Sequence, residues 1–285
     1  MSGIVVMMNG LPGAMGHEVS QACIRRGLTL APVALTGGGQ PADCQVTEGS
    51  TSVTVKLVGP DAAGSQRKAL EELKKAHGNR LVIIDFTHPT AVNPNGDLYT
   101  SVGVTYVMGT TGGDREALMK ATNDSGVYAV IAPNMGKQIV ALQATMERMA
   151  RDFPGAFSGY KLEVTESHQK TKADTSGTAK ALVSSFQKMG VDKFEMDDIK
   201  MLRDDESQKA FGVSEEHLNG HAWHTYTLKS GDGSVEFQFK HNVSGRRTYS
   251  EGVADAVQFI AAKCAEKSKK RTFDMIDILE AGVMQ

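Results

Sequence analysis

The sequence predicts an α/β protein: a parallel β-sheet covered by helices, followed by a second α+β domain with a mixed sheet. Three features lead there. From residue 4 to about residue 132, short apolar runs alternate with amphipathic helical runs. The strand-like runs are apolar throughout, as expected of strands buried on both faces. Near Pro133 this rhythm gives way to one long helical pattern and then to further strands.

The elements follow in order. Residues 4–8 form a compact apolar strand, and Gly10, Gly13 and Gly16 crowd the turn after it. Residues 18–26 read as a helix stopped by Gly27. Residues 30–35 and 53–57 read as strands, and 65–76 as a helix with Leu70 and Leu73 on one face. Residues 81–86, 104–108 and 127–132 are buried strands, with a helix over 115–123. The long helix covers 137–152, where Ile139, Leu142, Met146 and Met149 recur at helical spacing. Beyond it, strands are predicted at 160–166, 194–202, 225–229 and 235–240, and helices at 178–189 and 251–264. Ser230-Gly-Asp-Gly233 makes a hairpin turn. The apolar end at 273–279 is expected to pack back on the first domain.

Bulk properties narrow the function. The chain has 285 residues, 40% apolar and 22% charged, with a net charge of -2. No basic field exists to attract nucleic acid or an anionic membrane, so an anionic ligand must be caught by local groups. Cys23, Cys44 and Cys264 are odd in number and far apart, which fits neither a disulfide framework nor a metal site, and suits a reducing compartment. No apolar run reaches membrane-spanning length, and the first residues read as a strand rather than a targeting segment.

Six segments carry chemistry. Asn9-Gly10-Leu-Pro-Gly13-Ala14-Met15-Gly16 follows a strand and opens a helix. Glycines there allow a sharp turn and close approach to a pyrophosphate, which the helix N-terminus attracts, although a plain tight turn would look similar. Thr36-Gly-Gly-Gly39 ends the next strand without the carboxylate that usually accepts from an NAD ribose. Thr36 can donate to a 2′-phosphate, so the loop favours NADPH, with NADH still usable; no arginine is present to clamp the phosphate. Asp85-Phe86-Thr87, Gly109-Thr110-Thr111 and Pro133-Asn134-Met135 fall at later strand ends, the rim where open α/β sheets bind ligands. The richest segment is 166–179. Ser176, Gly177 and Thr178 open a helix and offer hydroxyl and N–H donors to a carboxylate. Lys172 adds a charge, and His168 is a candidate proton donor near neutral pH. His221, Trp223 and His224 lack a fitting further metal ligand in sequence, so packing is expected there and no metal site.

Together these segments resemble dihydrodipicolinate reductases, especially their plant-like branch. The resemblance rests on the Gly10/Gly13/Gly16 loop, Asp85-Phe-Thr87, Gly109-Thr-Thr-Gly112, Ala132-Pro-Asn134, His241 through Arg246 and Phe273-Asp-Met275. Its most specific part is the family pattern E-x-H-H-x-x-K-x-D-x-P-S-G-T-A, which here reads E-S-H-Q-K-T-K-A-D-T-S-G-T-A. Gln169 replaces the second histidine, and the proline before the serine is missing. Residues from about 204 to 224 also make a longer stretch than bacterial members have.

The resemblance implies a Rossmann-type dinucleotide domain over 1–136, completed by about 250–285, and a substrate-binding and oligomerisation domain over 137–249. It implies reduction of a cyclic dicarboxylate of the lysine route, by hydride addition at C4 after loss of the 4-hydroxyl. His168 would act as acid and Lys172 would stabilise charge, while Gln169, Ser176, Gly177 and Thr178 would hold the substrate. A homo-oligomer, dimer or tetramer, in plastid stroma or cytoplasm is expected. Another two-domain dehydrogenase, such as a homoserine or semialdehyde enzyme, and a non-catalytic NADPH sensor are the alternatives. No cysteine sits where a semialdehyde enzyme needs its nucleophile.

Overall fold

The computed structural model describes residues 3–61 and 64–282. They form two compact units, one from the described parts of Met1–Lys137 and Arg247–Gln285, the other from Gln138–Arg246. In chain order the elements begin with β1 (Val5–Asn9), α1 (Ala14–Arg25), β2 (Thr29–Leu30), β3 (Val33–Leu35), β4 (Asp43–Glu48) and β5 (Thr51–Val58). Then come α2 (Ser65–His77), β6 (Leu81–Asp85), α3 (Val92–Val102), β7 (Thr105–Met108), α4 (Arg115–Ser125) and β8 (Ala129–Ile131). Next are α5 (Lys137–Asp152), β9 (Lys161–His168), α6 (Gly177–Lys188), β10 (Lys200–Leu202), α7 (Asp205–Ala210), β11 (His221–Lys229) and β12 (Glu236–Ser244). The chain closes with α8 (Arg247–Ala265), β13 (Thr272–Phe273) and α9 (Met275–Glu280).

The first unit is built on a six-stranded sheet ordered β13-β8-β7-β6-β1-β2, with every pairing parallel. This is the Rossmann-type sheet the apolar runs predict, and the apolar chain end does return to it as β13. Its central strands are apolar because they are buried along their whole length: β1, β6 and β7 have no exposed residue. Met7, Leu81, Ile83, Tyr99, Tyr106 and Leu118 lie in the core.

Three departures from the sequence reading have local causes. Residues 30–35 are two strands in two sheets, because Pro32 lacks the N–H that a continuous strand would use. β2 pairs with β1, whereas β3 joins a separate three-stranded sheet ordered β3-β5-β4, and Lys56 N–H donates to the Pro32 carbonyl at 3.0 Å. β4 and α3 lie where no element was expected. α3 begins Val-Asn-Pro-Asn-Gly, and its proline falls in the first turn, where no helical N–H partner is lost. The strand predicted at 194–202 shrinks to the three residues of β10 behind a short 3-10 turn.

The second unit holds a four-stranded sheet ordered β10-β9-β11-β12. β10 runs parallel to β9, and the β9-β11 and β11-β12 pairs are antiparallel, which makes the sheet mixed as predicted. The hairpin between β11 and β12 closes through Ser230 and Gly233. α5 and α6 contribute Met146, Ala150, Leu182, Val183 and Phe186 to a core shared with Leu162, Val164, Tyr226 and Leu228. β9 starts with alternating exposure and ends with Glu166, Ser167 and His168 all buried. Three consecutive buried polar residues at one strand end mark a site.

Within the first unit, α8 packs so closely that a Cβ on Gly252 would lie 1.8 Å from the Met135 carbonyl oxygen. Alanine in a helix interior ordinarily stabilises by about 0.5–1 kcal/mol over glycine. Here overpacking reverses the sign, and Gly252→Ala should lower unfolding free energy by about 1–3 kcal/mol. Urea unfolding measures it; a variant as stable as wild type would show that α8 does not seat on Met135.

Candidate active site

The glycine turn of the first unit is fixed by contacts that leave no room for side chains. Gly10 has φ +107°, and a Cβ there would lie 2.1 Å from the Phe86 carbonyl oxygen. Gly13 N–H donates to Gly10 at 2.9 Å, and a Cβ on Gly16 would crowd the same carbonyl at 3.1 Å. α1 therefore starts at Ala14, four residues before the predicted start. Its N-cap is Gly13 with no side-chain cap, and no acid lies in its first turn. These free N–H groups and the positive dipole end form an anion site, with Ala14 exposed and Met15 half-buried beside it.

A cleft of about 680 Å³ opens in front of this turn. Gly10, Gly13, Thr36, Phe86 and Thr87 line it, as do Gln40, Pro60, Gln66, Pro94 and Asn95, which the sequence reading did not single out. Among the described lining residues there is no lysine, arginine or carboxylate. Turn, uncapped helix and neutral cleft together suit a dinucleotide.

Asn9 and Asp85 take a different position from the one expected. Both are fully buried and neither lines the cleft. Asp85 accepts from the Tyr99 hydroxyl at 2.6 Å, Asn95 at 2.8 Å, the Thr110 hydroxyl at 2.7 Å, and the Thr87 hydroxyl and N–H at 2.8 and 3.2 Å. Asn9 donates to the Tyr99 hydroxyl and accepts from Leu35 N–H, both at 2.8 Å. Burial, and then the neighbouring Asp85 carboxylate, raise the Tyr99 pKa well above the ordinary value, so the phenol keeps the proton it donates. These groups hold the rim loops from below. Thr36 also departs from expectation: its hydroxyl donates to the Leu11 carbonyl at 2.8 Å, so that proton is not offered to a phosphate. Gly109 accommodates the Phe86 ring, which would lie 2.1 Å from a Cβ. Thr110, Thr111 and Pro133 line a smaller hollow of about 230 Å³. Asn134 accepts from Gly136 N–H at 2.8 Å, and Met135 is buried under α8.

In the second unit the 166–178 segment assembles as one cluster. Ser176 is the buried N-cap of α6 and makes no side-chain cap bond, so the amides of the first turn, from Gly177 and Thr178 onward, have no side-chain acceptor at the cap. Lys172 Nζ donates to Asp174 at 2.7 Å, and Gln169 is half-buried at the turn where its carbonyl accepts Lys172 N–H. His168, at the end of β9, is buried, and its Nε2 lies 2.9 Å from Nε2 of His224 on β11. His224 Nδ1 in turn meets the Tyr226 hydroxyl at 3.0 Å. His221 is settled separately: its Nδ1 meets the His217 carbonyl at 2.9 Å and its Nε2 the Ser167 hydroxyl at 2.7 Å, so Nδ1 carries the proton. Tyr226 and Arg203 escaped the sequence reading, and His224 was expected only to pack, because all three reach the site through strand pairing rather than through proximity in sequence. Glu166, His168 and His224 place three donor atoms within 4.8 Å of one another, but the carboxylate already holds the Arg203 guanidinium.

Burial, followed by the charges of Arg203 and Lys172, pushes the His168 pKa down to about 3. The expected acid is thus a neutral imidazole before any anion binds. Burial lowers His224 to about 2 and His241 to about 4. Both His241 ring nitrogens are buried without a partner.

A Rossmann-type parallel sheet with a glycine turn, joined to a mixed-sheet unit bearing an uncapped helix N-terminus, defines a class: the two-domain nicotinamide-dependent oxidoreductases. Family models for the dihydrodipicolinate reductase N-terminus and C-terminus match residues 4–135 and 138–279. The chain belongs to the dihydrodipicolinate reductase family. It is 46% identical to 4-hydroxy-tetrahydrodipicolinate reductase 1, chloroplastic, of Arabidopsis thaliana over 100% of this chain and 80% of that one. It is 45% identical to the probable chloroplastic reductase 1 of Oryza sativa subsp. japonica over 98% of this chain and 80% of that one. Among solved structures, the dipicolinate-bound dihydrodipicolinate reductase from Paenisporosarcina sp. TG-14 shares the fold, with a TM-score of 0.60 at 19% identity over 95% of this chain and 97% of that one.

Burial also lowers His221, and the depressed histidines make a stability prediction. Each is neutral when folded, whereas in the unfolded chain it takes up a proton below about pH 6.5. Stability is therefore full above that pH and falls as pH drops toward 4, by up to about 1.4 kcal/mol per pH unit for each histidine. His241→Phe removes one such proton and two unpaired nitrogens. Urea unfolding between pH 7 and 4 should show a slope shallower by about one proton in the variant. Identical slopes would mean that His241 is not held neutral.

Proposed function

We propose that this chain reduces 4-hydroxy-tetrahydrodipicolinate to tetrahydrodipicolinate in the diaminopimelate route to lysine, with NADPH preferred over NADH. The observation that carries this reading is the 166–178 cluster, in which an uncapped helix N-terminus, a lysine and a buried histidine share one short segment of a chain that also has the dinucleotide turn. The full-length likeness to chloroplastic reductases supports the reading and suggests a plastid setting, with a cytoplasm as the alternative. Among the described residues no helix is long and apolar enough to cross a membrane. The second unit is read as the substrate-binding and oligomerisation domain of a homo-oligomer, dimer or tetramer.

The bound dinucleotide supplies a hydride from its nicotinamide ring. The Gly10–Gly16 turn and the N–H groups of α1 hold its pyrophosphate, and the residues at the later strand ends form the rim beside it. Ser176, Gly177 and Thr178 receive one substrate carboxylate with oriented N–H and hydroxyl donors, and Lys172 exchanges Asp174 for the substrate's charge. Gln169 can donate a hydrogen bond but cannot titrate. His168 is the acid. A docked dicarboxylate sets negative charge beside the imidazole, which raises its proton affinity from the depressed level of the free site and readies it to protonate the reduced ring.

Purified protein should oxidise NADPH when the cyclic intermediate is supplied, and not with aspartate semialdehyde or a 2-oxo acid. Equal turnover with those compounds would overturn the assignment. Lys172→Ala should lose about tenfold to a hundredfold in kcat/KM, since a charge-assisted contact is worth about 1.5–3 kcal/mol. His168→Ala should lower kcat with little change in KM, and both variants should titrate NADPH as wild type does. A folded Lys172→Ala enzyme with wild-type kcat/KM would place the substrate elsewhere.

Cofactor choice is testable at Gln40, an exposed, neutral side chain on the cleft wall. Gln40→Glu adds a carboxylate of the same shape that repels a 2′-phosphate. The ratio of kcat/KM for NADPH to that for NADH should fall by about tenfold, equivalent to about 1.4 kcal/mol. An unchanged ratio would place the 2′-position away from this wall.

A further inference from the structure

The loop that carries Lys172 and leads into the Ser176 turn contains neither proline nor glycine, and Thr171, Ala173 and Asp174 are exposed on it. Its internal ties among the described residues are the Lys172 N–H to Gln169 carbonyl bond and the Lys172–Asp174 pair. These leave the approach to Ser176 unsupported. From outside the loop, Asp205 meets Lys170 at 3.7 Å and Met201 Sδ accepts from the Thr175 hydroxyl at 3.6 Å, and one side chain reaches the backbone carbonyls. Arg203, directly after β10, donates through Nε to the Lys172 carbonyl at 2.8 Å and through Nη2 to the Asp174 carbonyl at 3.4 Å. The same Nη2 donates to the Glu166 carboxylate, and Nη1 returns to the Leu202 carbonyl at 3.1 Å. The other oxygen of Glu166 accepts Ser176 N–H at 3.0 Å. Glu166 is fully buried, and the Arg203 side chain is 17% exposed.

We propose that Arg203 and Glu166 form a positioning clamp that fixes the loop from Lys172 to Ser176 in the geometry that receives a substrate carboxylate. This rests on the reading of the 166–178 cluster as the substrate site. Arg203 secures the carbonyls on either side of Ala173 and so sets where the Lys172 backbone lies. Glu166 secures the cap amide and so sets the direction in which α6 begins. Register makes the link between the two rigid, because Met201 on β10 pairs with Glu166 on β9, two residues before the guanidinium. Gln208 braces the far side by donating to the carbonyls of His168 at 2.7 Å and Leu202 at 3.3 Å. Only a planar fork can serve carbonyls and a carboxylate at once, and a lysine ammonium at position 203 would keep the charge and lose the fork.

The test compares R203K, R203M and E166Q with wild type by two routes. The first is hydrogen exchange over residues 170–178, which needs no substrate. The second is steady-state kinetics, with pyridine-2,6-dicarboxylate titrated into the NADPH complex. We expect faster exchange at Ser176 and its neighbours in all three variants. KM and the dicarboxylate Kd should rise about tenfold to a hundredfold, with a smaller change in kcat and unaltered NADPH affinity. R203K should resemble R203M, and R203K/E166Q should be no worse than the poorer single variant, because both ends belong to one unit. Should R203M fail to fold, R203K and E166Q decide. Wild-type exchange in these variants, or loosened exchange with wild-type KM and Kd, overturns the clamp. A wild-type protein that neither binds the dicarboxylate nor turns over the intermediate overturns the substrate reading instead, while exchange still decides whether the clamp holds the loop.

Discussion

A carboxylate withdrawn from water must find donors within the protein, and Asp85 finds five at the end of the central strand β6. Those donors come from the loop after β6, from α3 and from the loop after β7. Tyr99 also reaches Asn9 at the end of β1. One buried group thus sets the relative heights of three strand ends, and the cleft wall above them is a consequence. Removing any donor leaves charge uncompensated in the interior, so the rim loops tolerate little change in chemistry even where they touch no ligand.

The second unit solves a similar problem with a different outcome. Glu166 is as deeply buried as Asp85, but its main partner is itself charged. The pair brings a guanidinium near Lys172, His168 and His224, where burial first, and then neighbouring charge, disfavours protons on the imidazoles. Arg203 and Lys172 each face a carboxylate, and of the two carboxylates the exposed Asp174, not the buried Glu166, is placed to give way to a ligand. Arg203 therefore bears both on loop geometry and on the charge felt at His168.

How far the sequence discloses this depends on whether a signal is local. Apolar runs such as residues 81–86 announce buried parallel strands, because burial on both faces demands them. His168, Lys172 and Ser176 are legible because they share one short segment. α3 is not, since its Asn-Pro-Asn-Gly start resembles a turn. Its helix is secured by Tyr99 and Asn95 reaching Asp85, and by Gly96 lying close against Leu118. Arg203 is silent, and His224 is read only as packing, for a related reason: their importance comes from the register of β9 with β10 and β11, which the local pattern does not reveal. Thr36 illustrates the converse, where a plausible donor in sequence is already bonded within the fold.

The break at Pro32 has a consequence of its own. Because β2 and β3 belong to different sheets, the wall of the cleft that carries Thr36, Gln40, Pro60 and Gln66 is built on the small β3-β5-β4 sheet and α2, and it meets the parallel sheet through Leu35, which bonds to Asn9 and Gly10. That wall of the cleft is then modular. Mutations can recolour it while the six parallel strands keep their sequence.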